Sequence, residues 1–164
     1  SDQRGLARFV TMQNHYNLVY REEEREMLPL CEAEEVSVIP WSPLARGMLA
    51  GTRTTLGDDS TTRSQSDRVD QILYDQPSDW DVVEAVKHVA AQRGEKPAQV
   101  ALAWLLAKPA VAAPILGATK LTHLDDALEA VEKQLSEEEI GLLEAPSKPH
   151  PVKGIQPSSA RRRK

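Results

Sequence analysis

Short apolar runs alternate with polar stretches along this chain, and the spacing within each run predicts the element it forms. Residues 9–13 (FVTMQ) read as a buried strand ending near Gln13, ahead of the polar NHYN. Residues 22–34 read as a helix, with Glu22, Glu23 and Glu24 crowding the first turn, where acids favour the positive end of the dipole. Met27, Leu28, Leu30, Cys31 and Ala33 supply its apolar side, and Pro29 can set the start of the regular helix later. Val36, Val38 and Ile39 make the next short strand, which Pro40 ends because proline has no N–H to give to a ladder. A strand, a helix and a strand with short joints form a βαβ unit, hence parallel strands and a right-handed crossover.

Polar residues then take over residues 50–77 (GTRTTLGDDSTTRSQSDR at their centre). An insert of about thirty residues between a strand end and a helix is a lid, a binding loop or a disordered segment, and its position favours a lid. Arg53, Arg63 and Arg68 are the cations that could reach a phosphate from it; each alone also reads as solvated surface. Ser78 with Asp81 resembles a capping box, and Val82, Val83, Val86, Val89 and Ala90 keep helical spacing up to a stop at Gly94. A second helix starts at Pro97, behind the poor cap Lys96, and continues through Ala101, Leu102, Trp104 and Leu105. Residues 111–116 (VAAPIL) read as a strand, followed by the loop GATK. Thr122 with Asp125 caps the next helix, in which Leu124, Leu128, Val131 and Leu135 face inward. Ser136 with Glu139 caps one more, carrying Ile140, Leu142 and Leu143, and the remaining residues hold too many prolines to be regular. The order is β, α, β, long loop, α, α, β, α, α.

Composition narrows this picture. The chain has 164 residues, enough for one domain with a core, yet α/β barrels run to about 200–250. A net charge of −5 leaves the body without an electrostatic footprint for nucleic acid. The basic run Arg161 to Lys164 reads as a solvated tail. A single cysteine, Cys31, excludes an internal disulfide and a multi-cysteine metal site, fits a reducing, cytoplasmic setting, and packs in a helix as a small apolar residue. The first residues are too polar for a signal peptide, and a strand placed so early argues that something preceded it. Residues 100–118 approach the length of a membrane span, but Lys108, Pro109 and Pro114 divide them into helix, turn and strand.

Candidate chemistry gathers at three strand ends: Gln13 and Asn14, then Trp41 to Gly47, then Gly117 to Lys120. In a parallel sheet these lie on one side and can converge on one ligand. Trp41 offers a planar face, Ser42 a hydroxyl and Arg46 a charge, which suits a nucleotide; an ordinary turn with a packed Trp is the alternative. Gly117 allows close backbone approach, Thr119 offers a hydroxyl, and the following helix turns its N–H groups toward a phosphate. His123 and Asp126 lie near that helix start, in reach of a ribose or adenine; plain capping and turn chemistry is the other reading of these residues.

The segments FVTMQNHYNLVYREEEREMLPLCEAEEVSVIPWSPLARGMLAG and KPAQVALAWLLAKPAVAAPILGATKLTHLDDALEAVEKQLSEEEIGLLE, with the KPHPVKG tail, resemble the carboxyl-terminal part of the aldo-keto reductases. The chain looks closest to the bacterial branch related to potassium-channel β subunits. The resemblance implies an α/β fold, the C-terminal portion of a TIM (β/α)8 barrel. About three βα units, strands 6 to 8, would fill residues 1–145, with 50–77 a long cofactor-side loop and 146–164 an irregular tail. It implies NADPH as cofactor, with NADH the alternative, and a small carbonyl substrate in the full-length protein.

Residue by residue, Gln13 falls where the family holds the nicotinamide carboxamide and Trp41 where an aromatic stacks on the nicotinamide ring. Ser42, Pro43, Leu44, Ala45 and Arg46 match the pyrophosphate loop, and Gly117, Thr119, His123 and Asp126 match the segment binding the 2′-phosphate and adenosine. Two positions depart from the pattern: His123 replaces a usual Gln or Arg, and Ala127 a usual Asn. The family's Asp, Tyr, Lys and His tetrad has no counterpart here, so no catalytic residue and no metal ligand is expected, and this chain alone is expected to be inactive. His15, Tyr16 and Tyr20 read as loop or wall residues.

Three parallel strands cannot close a barrel. The chain is therefore expected to aggregate, dimerise, or be a fragment that needs a missing N-terminal half as partner. The leading reading is an NADPH-dependent aldehyde and ketone reductase, this chain supplying its cofactor-binding part. The alternative is a non-catalytic NADP(H)-binding regulatory subunit of the channel β-subunit type. A helix-turn-helix at residues 97–128 is disfavoured by the net acidity, so neither nucleic acid nor membrane is an expected partner.

Overall fold

The computed structural model describes residues 1–51, 73–74 and 76–150. Strand β1 (Thr11–Met12) pairs in parallel with β2 (Ser37–Val38), in the register Thr11↔Ser37 and Met12↔Val38. The pairing outlasts these short strands. Ser37, Ile39 and Trp41 donate their N–H groups to Val10, Met12 and Asn14 at 3.0, 2.9 and 2.9 Å, and His15 bridges to Trp41. Pro40 therefore does not end this ladder, contrary to expectation. Alternate residues serve alternate neighbours, and the proline falls on the side facing away from β1.

That other side carries the third strand. Val38 donates to the Ala110 carbonyl at 2.8 Å and accepts from Ala112 at 2.9 Å, making a parallel bridge between Val38 and Val111. The next N–H in this series would be that of Pro40, which has none; only its carbonyl is used, accepting from Ile115 at 2.8 Å. The strand expected over 111–116 is thus reduced to a bridge at Val111 and a loosely tethered extended segment. β1 holds another correction: Phe9 and Val10 are 88 % and 71 % exposed, not buried. They lie where β1 pairs on one side only, an edge with no neighbour among the described residues.

Among the described residues, five α-helices cover the strands. The expected helix over 22–34 is split into a 3₁₀ turn, Glu22–Arg25, and α1 (Met27–Ala33), which buries Leu28 and Cys31 and leaves Leu30 exposed. Pro29 is tolerated because it sits in the first turn of α1, where N–H groups have no intrahelical partner. α2 (Pro77–Arg93) and α3 (Pro97–Leu106) start alike: a proline opens the helix, and a side chain three residues past the N-cap reaches back to it. Asp79 accepts from the Gln76 N–H at 3.2 Å and Gln99 from the Lys96 N–H at 3.0 Å. The cap of α2 is therefore Gln76 with Asp79, not Ser78 with Asp81. α2 ends at Gly94, whose φ of +65° is the left-handed geometry that glycine adopts without strain.

α4 (Leu121–Val131) begins after Lys120, so Thr122 lies inside the first turn instead of capping it. α5 (Glu137–Glu144) has the expected reciprocal box: Ser136 Oγ accepts from the Glu139 N–H at 3.2 Å, and Glu139 from the Ser136 N–H at 2.7 Å. The core lies between the strands and these helices, around Tyr16, Val38, Leu49, Val86, Trp104 and Leu143, all fully buried. The apolar stripe of α4 does not join it. Leu124, Leu128 and Val131 are 47 %, 60 % and 62 % exposed, because α4 meets α3 through Ala130 and polar residues and turns its leucines outward.

Past α5, residues 146–150 form a strap. The His150 N–H donates to Glu22 at 2.6 Å, and its Nε2 lies 2.8 Å from Asp79 Oδ1, both side chains almost fully buried. Arg53, Arg63 and Arg68, on which the expected lid rests, and the terminal residues 151–164 with Arg161 to Lys164, lie outside the described residues.

Candidate cofactor site

The loop after β2 is built under strain. Ser42, Ala45 and Arg46 have φ of 55°, 46° and 55°, left-handed values that L side chains avoid, and Gly47 follows at 99°. Each non-glycine residue there costs about 1–2 kcal/mol, so surrounding contacts must hold it. They are visible. The Asn17 side chain donates to the Ser42 carbonyl at 2.9 Å, and the same carbonyl accepts from Ala45 at 2.9 Å. The Leu44 carbonyl takes the N–H of Gly47 at 2.9 Å and that of Leu49 at 3.2 Å, while Met48 and Leu49 are fully buried below. A 3₁₀ turn, Ala45–Ala50, results, with Trp41, Ser42 and Arg46 left half-buried at the rim.

Beneath Trp41 lies a column of rings built on His15 and Tyr20, residues expected to be only loop or wall. His15 stacks on Trp41 at 4.2 Å between centroids and on Tyr20 at 4.3 Å, each pair inclined by 12°. The His15 Nε2 and the Tyr74 hydroxyl share a 2.6 Å hydrogen bond. Asn17, wholly buried, donates to the same hydroxyl at 3.0 Å and accepts the N–H groups of Val19 and Tyr20 at 3.0 and 2.9 Å. Burial first, then the charges of His150 and Arg46, lowers the His15 pKa to about 4, so the ring in the column is neutral at pH 7. One signal could have found it. The offset of 26 that relates Thr11 to Ser37 also relates His15 to Trp41, so the strand register alone places these rings side by side.

At the end of β1, Gln13 is exposed and Asn14 buried. Asn14 Nδ2 donates to Glu23 at 3.2 Å, but its Oδ1 is buried without a donor among the described residues. A buried acceptor left unpaired costs about 1–3 kcal/mol, so the strand end beside Trp41 has unused capacity for a donor.

The structure thus brings Trp41, Pro43, Leu44 and the strained Ser42–Arg46 backbone together with the Gln13–Asn14 strand end. Gly117, Thr119 and His123 lie exposed along the segment that follows Ile115. Nothing comes within 4 Å of a side chain placed on Gly117, so the space around it is open. Asp126 is engaged by Lys96, whose ammonium lies 2.5 Å from its carboxylate and is held protonated by it. Among the described residues, no group of three or more His, Cys, Asp or Glu is placed to hold a metal ion, and no helix is long and apolar enough to cross a membrane.

The model of the aldo/keto reductase family matches residues 2–148. An aldo-keto reductase of Fusarium vanettenii is 42 % identical over 152 residues, covering 92 % of this chain and 40 % of that protein. Versiconal hemiacetal acetate reductase of Aspergillus parasiticus is 40 % identical over 151 residues, covering 90 % of this chain and 43 % of that one. The crystal structure of the thermostable aldo-keto reductase Tm1743, in complex with the inhibitor epalrestat, superposes with a TM-score of 0.62 at 29 % identity, over 88 % of this chain and 42 % of its own. This chain spans less than half the length of the curated relatives it matches. Its parallel pair β1–β2, bridged to Val111 and flanked by helices, is a portion of a TIM barrel, and the chain belongs to the aldo/keto reductase family.

Proposed function

We propose that this chain is the cofactor-holding part of an NADPH-dependent reductase that converts an aldehyde or ketone to an alcohol. The observation that carries the reading is the strained Ser42–Arg46 loop at the carboxyl ends of parallel strands, beside the partly exposed Trp41 ring. Backbone held in unfavourable geometry by a buried framework concentrates at ligand clamps, and strand carboxyl ends are where α/β folds bind ligands.

In this reading Trp41 lies against the nicotinamide, Gln13 meets its carboxamide, and Ser42 to Arg46 run along the pyrophosphate. Gly117, Thr119, His123 and Asp126 serve the 2′-phosphate and adenosine, Asp126 only after exchanging its Lys96 partner. The Asn14 oxygen, without a donor among the described residues, supports a ligand that brings a hydrogen-bond donor there, and the Arg46 cation supports one that carries negative charge. The bound cofactor supplies the hydride. These residues position it, and the proton donor of the family's tetrad would come from a part of the protein outside this chain. NADH is the alternative cofactor, a small carbonyl compound the substrate, and a reducing, cytoplasmic setting fits the one cysteine. The relatives are named as reductases, which favours the enzyme over a regulatory subunit of the channel β-subunit type.

Titration of the chain with NADPH, read by tryptophan fluorescence, tests the site. Quenching in the parent chain that is lost in Trp41→Phe supports it. An unaltered signal at saturating NADPH removes Trp41 from this role.

A further inference from the structure

We infer that His15 is a positioning residue for Trp41, fixing the plane of the indole for the nicotinamide and tying that pose to Tyr74, just ahead of α2. The inference rests on the proposed placing of Trp41 against the nicotinamide and adds what sets the angle of that ring. The imidazole is held on three sides: Tyr20 and Trp41 stack on it at 4.3 and 4.2 Å with planes 12° from parallel, and Tyr74 meets its edge at 5.6 Å and 66°. The 2.6 Å hydrogen bond between Nε2 and the Tyr74 hydroxyl fixes its rotation in plane.

Trp41 is the least buried ring of the column, and its backbone is pinned by the N–H bond to the Asn14 carbonyl. What remains free is the side-chain torsion, and the imidazole is the surface that decides it. Only a flat ring at this position dictates a plane; an aliphatic side chain of equal volume would fill the space and leave the indole free to tilt. A neutral imidazole suits the task, because a charged one would hold water against the stack. Asn17 ties the column to the clamp, since its amide bonds both the Tyr74 hydroxyl and the Ser42 carbonyl. Indole plane, Tyr74 and strained backbone are thus parts of one hydrogen-bonded and stacked unit.

The test uses calorimetric titration of the chain with two ligands: NADPH, and adenosine 2′,5′-bisphosphate, which lacks the nicotinamide. His15→Leu, which keeps volume without a plane, should weaken NADPH about threefold to tenfold, the range a stacked aromatic pair carries. It should leave adenosine 2′,5′-bisphosphate unchanged. His15→Phe, which restores a flat ring, should recover most of the loss, and His15→Leu should add nothing in a Trp41→Ala background. Equal weakening of both ligands by His15→Leu, or full NADPH affinity in His15→Leu where Trp41→Ala has lost it, overturns the inference and leaves the cofactor reading standing. A parent chain that binds neither ligand, or a Trp41→Ala variant that binds NADPH as the parent does, overturns the cofactor reading itself. If His15→Leu does not fold, Tyr74→Phe takes its place: a selective loss for NADPH supports the inference and equal effects on both ligands refute it.

Discussion

Replacing Glu144 with alanine should cost about 3 kcal/mol of folding stability, although the residue lies far along the chain from the Ser42–Arg46 loop. Its carboxylate closes a knot at the end of α5: Oε1 accepts from the Trp104 indole N–H at 2.8 Å and from Lys108 at 2.6 Å, and Oε2 from Arg21 at 2.8 Å. Trp104 is fully buried, with Lys108 over its ring at 4.5 Å and Arg21 at 5.7 Å. Truncation leaves the indole N–H buried without an acceptor, about 1–3 kcal/mol. The two ion pairs add less than about 1 kcal/mol each, because both cations are partly solvated and Arg21 keeps Glu24 at 2.7 Å. Glu144→Gln retains an oxygen for the indole and should cost only about 1 kcal/mol, chiefly the lost charge. Urea unfolding at an unchanged m-value measures both. Burial raises the Glu144 pKa, but the hydrogen bonds from Lys108 and Trp104 and the nearby cations outweigh it and hold the group below its usual value of 4.5. Its folded value therefore lies below its unfolded one, so this stabilisation is complete above about pH 4.5 and is lost as pH falls through the folded value; Glu144→Gln should lack that dependence. A Glu144→Ala chain as stable as the parent, or a glutamine variant as damaged as the alanine one, would refute the account.

Three further outcomes follow from the geometry. The His15 pKa of about 4 lies below the unfolded value of 6.5, so stability should fall by up to about 3 kcal/mol as pH drops from about 6.5 to about 4, and His15→Phe should flatten that window in urea titrations. Gly51→Ala should destabilise by about 2 kcal/mol, since φ is +73° and the added carbon would meet Pro97 Cγ at 2.8 Å; an unchanged melting point would mean that the loop start does not rest on α3. Leu124→Gln with Leu128→Gln should change stability by less than about 1 kcal/mol and reduce self-association in sedimentation velocity, because both side chains are largely open to solvent, whereas a large loss would place them in a core.

Helix ends were legible in the sequence where a motif is reciprocal and local. Ser136 and Glu139 satisfy each other's N–H groups, and Gly94 is the residue a left-handed stop asks for, so both stand where the sequence predicts them. The start of α2 was misread because Ser78 is a stronger cap by type than Gln76; the proline at the first helical position decides the frame, and Asp79 then reaches back. The stripe on α4 was legible as amphipathic, but periodicity says only that a face is apolar, not that this chain contains its cover. Pro40 teaches the same lesson in a strand: losing one N–H loosened one neighbour and left the other pairing intact out to Trp41.

The candidate site divides along the same line. Trp41, Ser42 and Arg46 could be singled out by residue type and by their place after a strand, whereas nothing in the types Ser42, Ala45 and Arg46 announces left-handed backbone, which sequence reading reserves for glycine. The strain exists because contacts distant in sequence impose it: Asn17 takes hold of the Ser42 carbonyl, and Met48 and Leu49 are drawn into the core behind the loop. A loop shaped in this way is set before any ligand arrives, so binding does not have to supply its ordering entropy. His15 extends the argument to the ring. It was passed over because a histidine two residues beyond a strand resembles no motif, yet the register of β1 on β2 makes it the neighbour of Trp41. Residue type located the groups that would touch a cofactor, while the groups that aim them became visible only through strand register and burial, which belong to the fold and not to any one stretch of sequence.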